Sequence, residues 1–189
     1  MKKILIALGF TMAAMSAQAA LVFNPIGTTI ATNQFNDILD LNAGAQFQYG
    51  TLSADAGDVL VFTNLIGDVE AGFTNLFINE SQVFSNKVGN NTSFTYTALV
   101  SGALNFKFES QGGFIDNNGS QNIAVLSNVA GFSDEFLLLL DDSFAAHMDF
   151  DDHAVGVSAV PVPAALPLLA SALGAFGIAR RRNKAKAAK

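Results

Sequence analysis

The charged residues of this chain are sorted along its length in a way that divides it into three segments. Two lysines lie within the first three residues, and six of the ten basic residues lie after residue 179. Only Lys87 and Lys107 lie between them, whereas all sixteen carboxylates do. Each basic end adjoins an uncharged, largely apolar stretch, residues 4–15 and residues 160–179. Both ends therefore have the composition of targeting segments, and the fold belongs to the acidic middle.

The first 19 residues have the three parts of a secretory signal peptide. Lys2 and Lys3 form a positive head, and residues 4–15 form an apolar core too short to span a bilayer. Ala17 and Ala19 supply the small residues that signal peptidase requires before its cleavage site. An amphipathic first helix of the domain is the alternative, but the stretch has no polar face. We expect residues 1–19 to direct export through the general secretion machinery and then to be removed.

The middle segment, residues 20–159, has the length of one domain. It contains no cysteine, although exported domains often use disulfides, so its stability must come from burial alone. A chain of about 140 residues can bury roughly two-thirds of its unfolded surface, which suffices for one compact domain. Because the segment is strongly acidic, it repels phosphate backbones, and nucleic acid is not an expected partner.

The middle segment predicts an all-β fold. Short stretches in which apolar and polar residues alternate, or which are apolar throughout, are separated by glycine, asparagine and aspartate, as in an antiparallel β-sandwich or jelly roll of about eight strands. These stretches are residues 46–49, 59–62, 76–78, 83–84, 94–97, 104–109, 123–126, 136–140 and 154–160. Residues 79–82 read as a hairpin turn, residues 111–113 and 116–120 as a pair of polar loops, and residues 35–41 as a short helix.

The C-terminal apolar stretch predicts a short transmembrane helix. Residues 160–179 carry no charge, and as a helix they would reach about 30 Å, the thickness of a bilayer core. Pro167 fits within the first turn of a helix over residues 164–179, because the amide it lacks has no partner there. The basic tail, residues 180–189, begins with Arg180, Arg181 and Arg182, which by the positive-inside rule remain cytoplasmic. The acidic domain would then lie outside the membrane.

This arrangement of a proline pair, an apolar helix and an arginine cluster resembles the PEP-CTERM sorting signal of Gram-negative bacteria in its VPxPA-type variants. The motif residues are Val160, Pro161, Val162, Pro163 and Ala164. The resemblance covers residues 160–184 and implies recognition by exosortase, a membrane protease-transpeptidase. It also implies a precursor anchored in the inner membrane and a product at the cell surface or outside the cell. Val162 stands where the family has glutamate between the prolines. An ordinary anchor that is never cut is the alternative.

Five carboxylates near the end of the domain form the best candidate for a metal site. They are Asp141, Asp142, Asp149, Asp151 and Asp152. Their mutual repulsion would be relieved by Ca²⁺, which takes six to eight oxygen ligands. The spacing is not that of an EF-hand, but the cluster resembles the acidic loops before the last strand of many exported bacterial sandwich proteins with such tails. A solvated acidic loop that protects an edge strand is the alternative. His147 and His153 lie nearby without the fixed spacing of a zinc site.

The sequence points to an exported protein of structural or adhesive type in the cell envelope or extracellular matrix. A calcium-assisted carbohydrate-binding module is the first alternative, with surface phenylalanines or the acidic loop contacting extracellular polysaccharide. A secreted hydrolase ranks third, because the chain has no nucleophile elbow, no cysteine and no His-Glu-x-x-His motif. We therefore expect no enzymatic activity.

Overall fold

The computed structural model describes residues 20–30, 46–67, 73–87, 91–142, 150–161, 172–174 and 176. The chain divides into two compact units, one of which is Ala19–Pro161, while the other consists of the two ends of the chain. Within the second unit, the described residues 172–174 and 176 are α-helical.

Ala19–Pro161 is built from antiparallel strands, as expected from the alternating sequence. The strands are β1 (Val22–Ile30), β2 (Gln46–Ala54), β3 (Val59–Gly67), β4 (Asn75–Ile78), β5 (Ser81–Ser85), β6 (Thr92–Thr97), β7 (Gly102–Ala103), β8 (Phe106–Ser110), β9 (Gly113–Asp116), β10 (Ile123–Ser127), β11 (Phe136–Leu140) and β12 (His153–Ala159). An eight-stranded sheet has the order β1-β2-β10-β11-β12-β3-β6, with β7 paired to β2. A four-stranded sheet has the order β5-β4-β8-β9.

The main core lies between the two sheets. Phe62 and Leu138 from the large sheet and Leu76 and Phe108 from the small sheet belong to one buried cluster. In β8 alternate residues face this core, so that Phe106 and Phe108 are buried, and β5 and β9 contribute Phe84 and Ile115. The two sheets therefore pack face to face, which is a β-sandwich-like arrangement.

The large sheet carries a second apolar cluster that is separate from the first. Phe47, Leu137, Leu139 and Phe150 are among its buried members. Leu138 and Leu140, their neighbours in β11, belong to the main core instead. Strand β11 is therefore buried on both faces, which explains why its sequence is an apolar run without alternation.

The predicted all-β antiparallel fold is confirmed, but several details of the prediction are wrong. The described residues contain twelve strands where about eight were expected, because β1, β7 and β9 lack a clean alternating pattern. Strand β1 contains Pro25 and Gly27, with a register shift between them, and both are tolerated because β1 is an edge strand. The polar loops predicted at residues 111–113 and 116–120 are separated by β9, which includes Gly113 and Asp116 from their ends.

The hairpin predicted at residues 76–84 is confirmed with a tighter turn than expected. Only Asn79 and Glu80 form the turn, since Ser81 and Gln82 already belong to β5. Both turn residues have positive φ, 47° and 64°, as a type I′ turn requires. The helix predicted at residues 35–41 lies outside the described residues.

The predicted signal peptide, including Ala17 and Ala19, also lies outside the described residues, as do Arg180, Arg181 and Arg182. Most of the predicted helix over residues 164–179 does so too. Among the residues that the structure describes, no helix has the length and apolar character of a membrane span. The two terminal segments remain predictions from sequence.

Candidate functional site

The acidic residues on either side of the β11–β12 hairpin meet at one end of the large sheet. Leu140 pairs with His153, which brings the residues that follow β11 close to those that precede β12. The Asp142 amide donates a 2.6 Å hydrogen bond to Oδ2 of Asp152. The Asp141 amide donates to the Asn122 carbonyl at 2.9 Å, and this bond continues the ladder between β10 and β11. The structure thus brings Asp141, Asp142 and Asp152 into one turn region, while Asp149 lies outside the described residues.

Phe150 anchors the chain three residues before β12 begins. Its side chain is fully buried, and its ring centroid lies 5.1 Å from that of Phe47 in the second apolar cluster. Its φ of 58° is unusual for a large side chain and is maintained by this burial. Asp151 and Asp152 directly follow this anchored residue and precede β12.

His153, the first residue of β12, lies in a buried polar network. Its Nε2 is 2.7 Å from Oδ1 of Asn64, and its Nδ1 is 3.2 Å from Oγ1 of Thr74. Because a carboxamide oxygen only accepts, Nε2 carries the proton, and Nδ1 accepts from the Thr74 hydroxyl. The ring also packs edge-on against Phe108, with centroids 5.6 Å apart.

The network continues from Thr74 into the small sheet. The Thr74 amide donates to Oδ1 of Asn86 at 3.1 Å, and the Asn86 amide donates to the Thr74 carbonyl at 2.9 Å. Asn64 belongs to β3, whereas Thr74 precedes β4 and Asn86 follows β5. These polar residues therefore connect the two sheets at the end of the small sheet where β4 begins. No sequence pattern indicates Asn64, Thr74 or Asn86 as partners of His153.

Burial determines the protonation state of His153. Removal from water lowers the pKa of its imidazole from 6.5 to about 4. The ring is therefore neutral at neutral pH, which agrees with the hydrogen-bond roles given above. The neutral imidazole thus joins Asn64 of the large sheet to Thr74 beside the small sheet by two hydrogen bonds.

The calcium hypothesis remains a prediction. Within the described ranges, no group of three or more histidine, cysteine, aspartate or glutamate residues is arranged to hold a metal ion. Asp149 falls in the gap between residues 142 and 150, so the five aspartates predicted to bind calcium lie only partly in the described structure. Of the predicted ligands, Asp152 has a defined role, because it accepts the Asp142 amide and closes the turn.

The first two residues of the predicted sorting motif lie at the end of the sandwich. The Val160 amide donates to the Val59 carbonyl at 2.8 Å, which extends the pairing of β12 with β3 by one residue. Pro161 is exposed, and it has no amide hydrogen with which to continue the ladder. Val162, Pro163 and Ala164 lie outside the described residues. Within the described ranges, the pairing of β12 with β3 therefore ends at Val160, just before the proline pair.

No family model, no curated protein and no solved structure matches this chain.

Proposed function

We propose that this chain is an exported protein that is held in the inner membrane by its C-terminal segment until an exosortase-type protease acts on it. The folded unit then serves as a structural or adhesive element at the cell surface or in the extracellular matrix. In this proposal residues 1–19 are the signal helix, residues 164–179 the membrane helix and residues 180–189 the cytoplasmic tail.

One observation supports this proposal best. Among the residues that the structure describes, Val160 makes the backbone hydrogen bond with which β12 and β3 end their pairing, and Pro161 is exposed. Cleavage beyond the proline pair would therefore leave the described contacts of the sandwich intact. A protein released in this way keeps its fold after its anchor has been removed.

Intact-mass analysis of the protein from the membrane fraction, the cell surface and the medium tests the proposal. We expect the surface or released form to begin after Ala19 and to lack the apolar segment and the basic tail. A variant without residues 165–189 is the control, and it should leave the cell without a membrane-bound stage. Full-length C-termini found only in the membrane would favour the uncut anchor, and full-length C-termini in the medium would contradict anchoring.

A calcium-assisted carbohydrate-binding module is the second candidate. The hairpin geometry that brings Asp141 and Asp142 next to Asp152 favours it. If Ca²⁺ occupies this turn, adding it should raise the midpoint of thermal unfolding, and Asp142→Asn should reduce that increase. An equal midpoint with Ca²⁺ and with a chelator would count against this candidate.

A further inference from the structure

The side of the small sheet that faces away from the core carries an ordered set of aromatic and polar side chains. We call it the outer face, and its residues are Asn75, Phe77, Gln82, Lys107, Glu109 and Phe114. In β4 and β8 the residues of the outer face alternate with core residues such as Leu76 and Phe108. Antiparallel pairing places Asn75 opposite Glu109, and Glu109 opposite Phe114. The outer face thus draws its side chains from all four strands of the small sheet.

Two phenylalanine rings meet above β8. The ring centroids of Phe77 and Phe114 are 5.8 Å apart, and the rings are nearly perpendicular at 83°. The ammonium group of Lys107 lies 4.4 Å from the centroid of the Phe114 ring, and Lys107 also forms an ion pair with Glu80. Phe114 nevertheless remains 53% exposed. A ring fixed by its neighbours loses little conformational entropy when a ligand stacks on its free surface.

Polar side chains form a row beside the aromatic pair. Nε2 of Gln82 donates to Oδ1 of Asn75 at 3.0 Å, and Nδ2 of Asn75 donates to Oε2 of Glu109 at 3.0 Å. Each hydrogen bond orients an amide or a carboxylate on the sheet surface before a ligand arrives. A surface that combines fixed rings with oriented amides suits a ligand that has both apolar C–H faces and hydroxyl groups.

The charge of the domain restricts the class of ligand. Lys87 and Lys107 are the only basic residues between residues 4 and 179, where all sixteen carboxylates lie. Anionic polymers such as polyuronates would be repelled. A second copy of the chain is also disfavoured. Asp116 lies opposite Lys107 in the neighbouring strand, and the copy would bring Glu109 and Asp116 towards the same carboxylates of its partner.

We propose that the outer face binds neutral polysaccharide made of β-linked hexopyranose units. Such sugars present flat C–H surfaces that stack on Phe114, and their equatorial hydroxyls reach the amides of Asn75 and Gln82. This inference rests on the proposed function, since it supplies the adhesive contact of an exported matrix protein.

Retention of the full chain, purified in mild detergent, on insoluble cellulose and curdlan tests the inference. Both probes are neutral β-linked glucans, and alginate beads provide an anionic comparison. The unmodified protein should be retained on at least one of the two glucans and not on alginate. Phe114→Leu keeps an apolar side chain but removes the flat ring, and it should weaken retention about tenfold or more. Phe114→Trp should preserve or strengthen retention.

Leu99→Ala is the matched control, because Leu99 is 72% exposed but lies in the loop between β6 and β7, outside the outer face. It should leave retention unchanged, and equal thermal midpoints of all variants would show that their folds are intact. Absence of retention on both glucans would overturn the inference, as would equal losses in Phe114→Leu and Leu99→Ala. A Phe114-dependent dimer without glucan binding would also overturn it and assign the face to self-association.

The two proposals fail separately. Loss of glucan retention would leave the masses of the cell-surface protein unaffected, so export and sorting would stand. An untrimmed C-terminus would refute sorting without changing the retention of the purified chain.

Discussion

At the residue scale, the side chain of Asn117 supplies hydrogen bonds that strand pairing does not provide. Its Oδ1 accepts from the Leu52 amide at 2.9 Å, and its Nδ2 donates to the carbonyls of Leu52 and Leu104, each at 2.9 Å. Leu52 belongs to β2 in the large sheet, whereas Asn117 directly follows β9 in the small sheet. The side chain therefore links the two sheets at the end opposite to the His153 network.

We expect Asn117→Ala to lower the free energy of unfolding by about 3 kcal/mol, because the buried Leu52 amide loses its acceptor. Urea unfolding followed by circular dichroism measures this change. Asn118, the next residue, is exposed, and Asn118→Ala should change stability by no more than about 0.5 kcal/mol. Equal effects of the two substitutions would show that the Asn117 bridge does not support the fold.

The lowered pKa of His153 should make the stability of the protein depend on pH. The pKa of His153 in the folded state, about 4, lies below the value of 6.5 in the unfolded chain. Between these values the unfolded chain binds more protons, so the free energy of unfolding falls as the pH falls, by about 3 kcal/mol over the whole window. The contribution is fully present above pH 6.5 and is lost on the way to pH 4.

Comparison with His153→Gln isolates this contribution, because glutamine does not titrate. The stability difference between the two proteins should narrow by about 3 kcal/mol between about pH 7 and about pH 4. A difference that stays constant with pH would contradict the lowered pKa. Titration of the His153 ring by NMR provides the pKa directly, without any variant.

At the scale of secondary structure, burial of the large sheet on both faces has a measurable consequence. Leu138 packs in the main core and Leu139 in the second apolar cluster, and both are fully buried. Leu138→Ala and Leu139→Ala should each lower the free energy of unfolding by about 2 to 5 kcal/mol in chemical denaturation. If only one face were buried, Leu139→Ala would behave like the exposed control Leu99→Ala, with a change of about 0.5 kcal/mol or less.

Sequence patterns predicted those strands in which the order of apolar and polar residues reflects which faces of the strand are buried. The alternation in β8 and the apolar run in β11 each follow from burial of one or both faces. Strand β1 was missed because Pro25 and Gly27 interrupt its pattern, and pairing with β2 compensates for that interruption. Strand β9 was missed because it has only four residues and begins at Gly113, which has a φ of 118°.

The residues of the candidate sites could likewise be predicted only where a local sequence pattern contains them. The aspartates were found because they are close together in the sequence. The partners of His153 were not found, since Asn64 is 89 residues away and Thr74 is 79 residues away. Alternation indicates the face on which Phe77 or Phe114 lies within its own strand, but their meeting above β8 depends on a strand order that the sequence does not display.

At the scale of the whole molecule, the proposals assign different tasks to different segments. The sandwich carries the outer face, and in the part of the chain that the structure describes its β12–β3 pairing ends at Val160, before the proline pair. The predicted apolar helix and the arginines after it would determine which side of the membrane the sandwich occupies. We therefore propose one topology for the precursor, in which the sandwich lies outside the inner membrane while the tail remains in the cytoplasm.

The absence of cysteine makes this topology directly measurable. Ala56→Cys places one thiol on an exposed turn of the sandwich, and Ala188→Cys places one in the basic tail. The two variants are treated with a membrane-impermeant maleimide in spheroplasts, with the unmodified chain as the unlabelled control. We predict that the Ala56→Cys precursor is labelled at once and the Ala188→Cys precursor only after permeabilisation. Labelling of the tail before permeabilisation, or protection of the sandwich until then, would contradict the account.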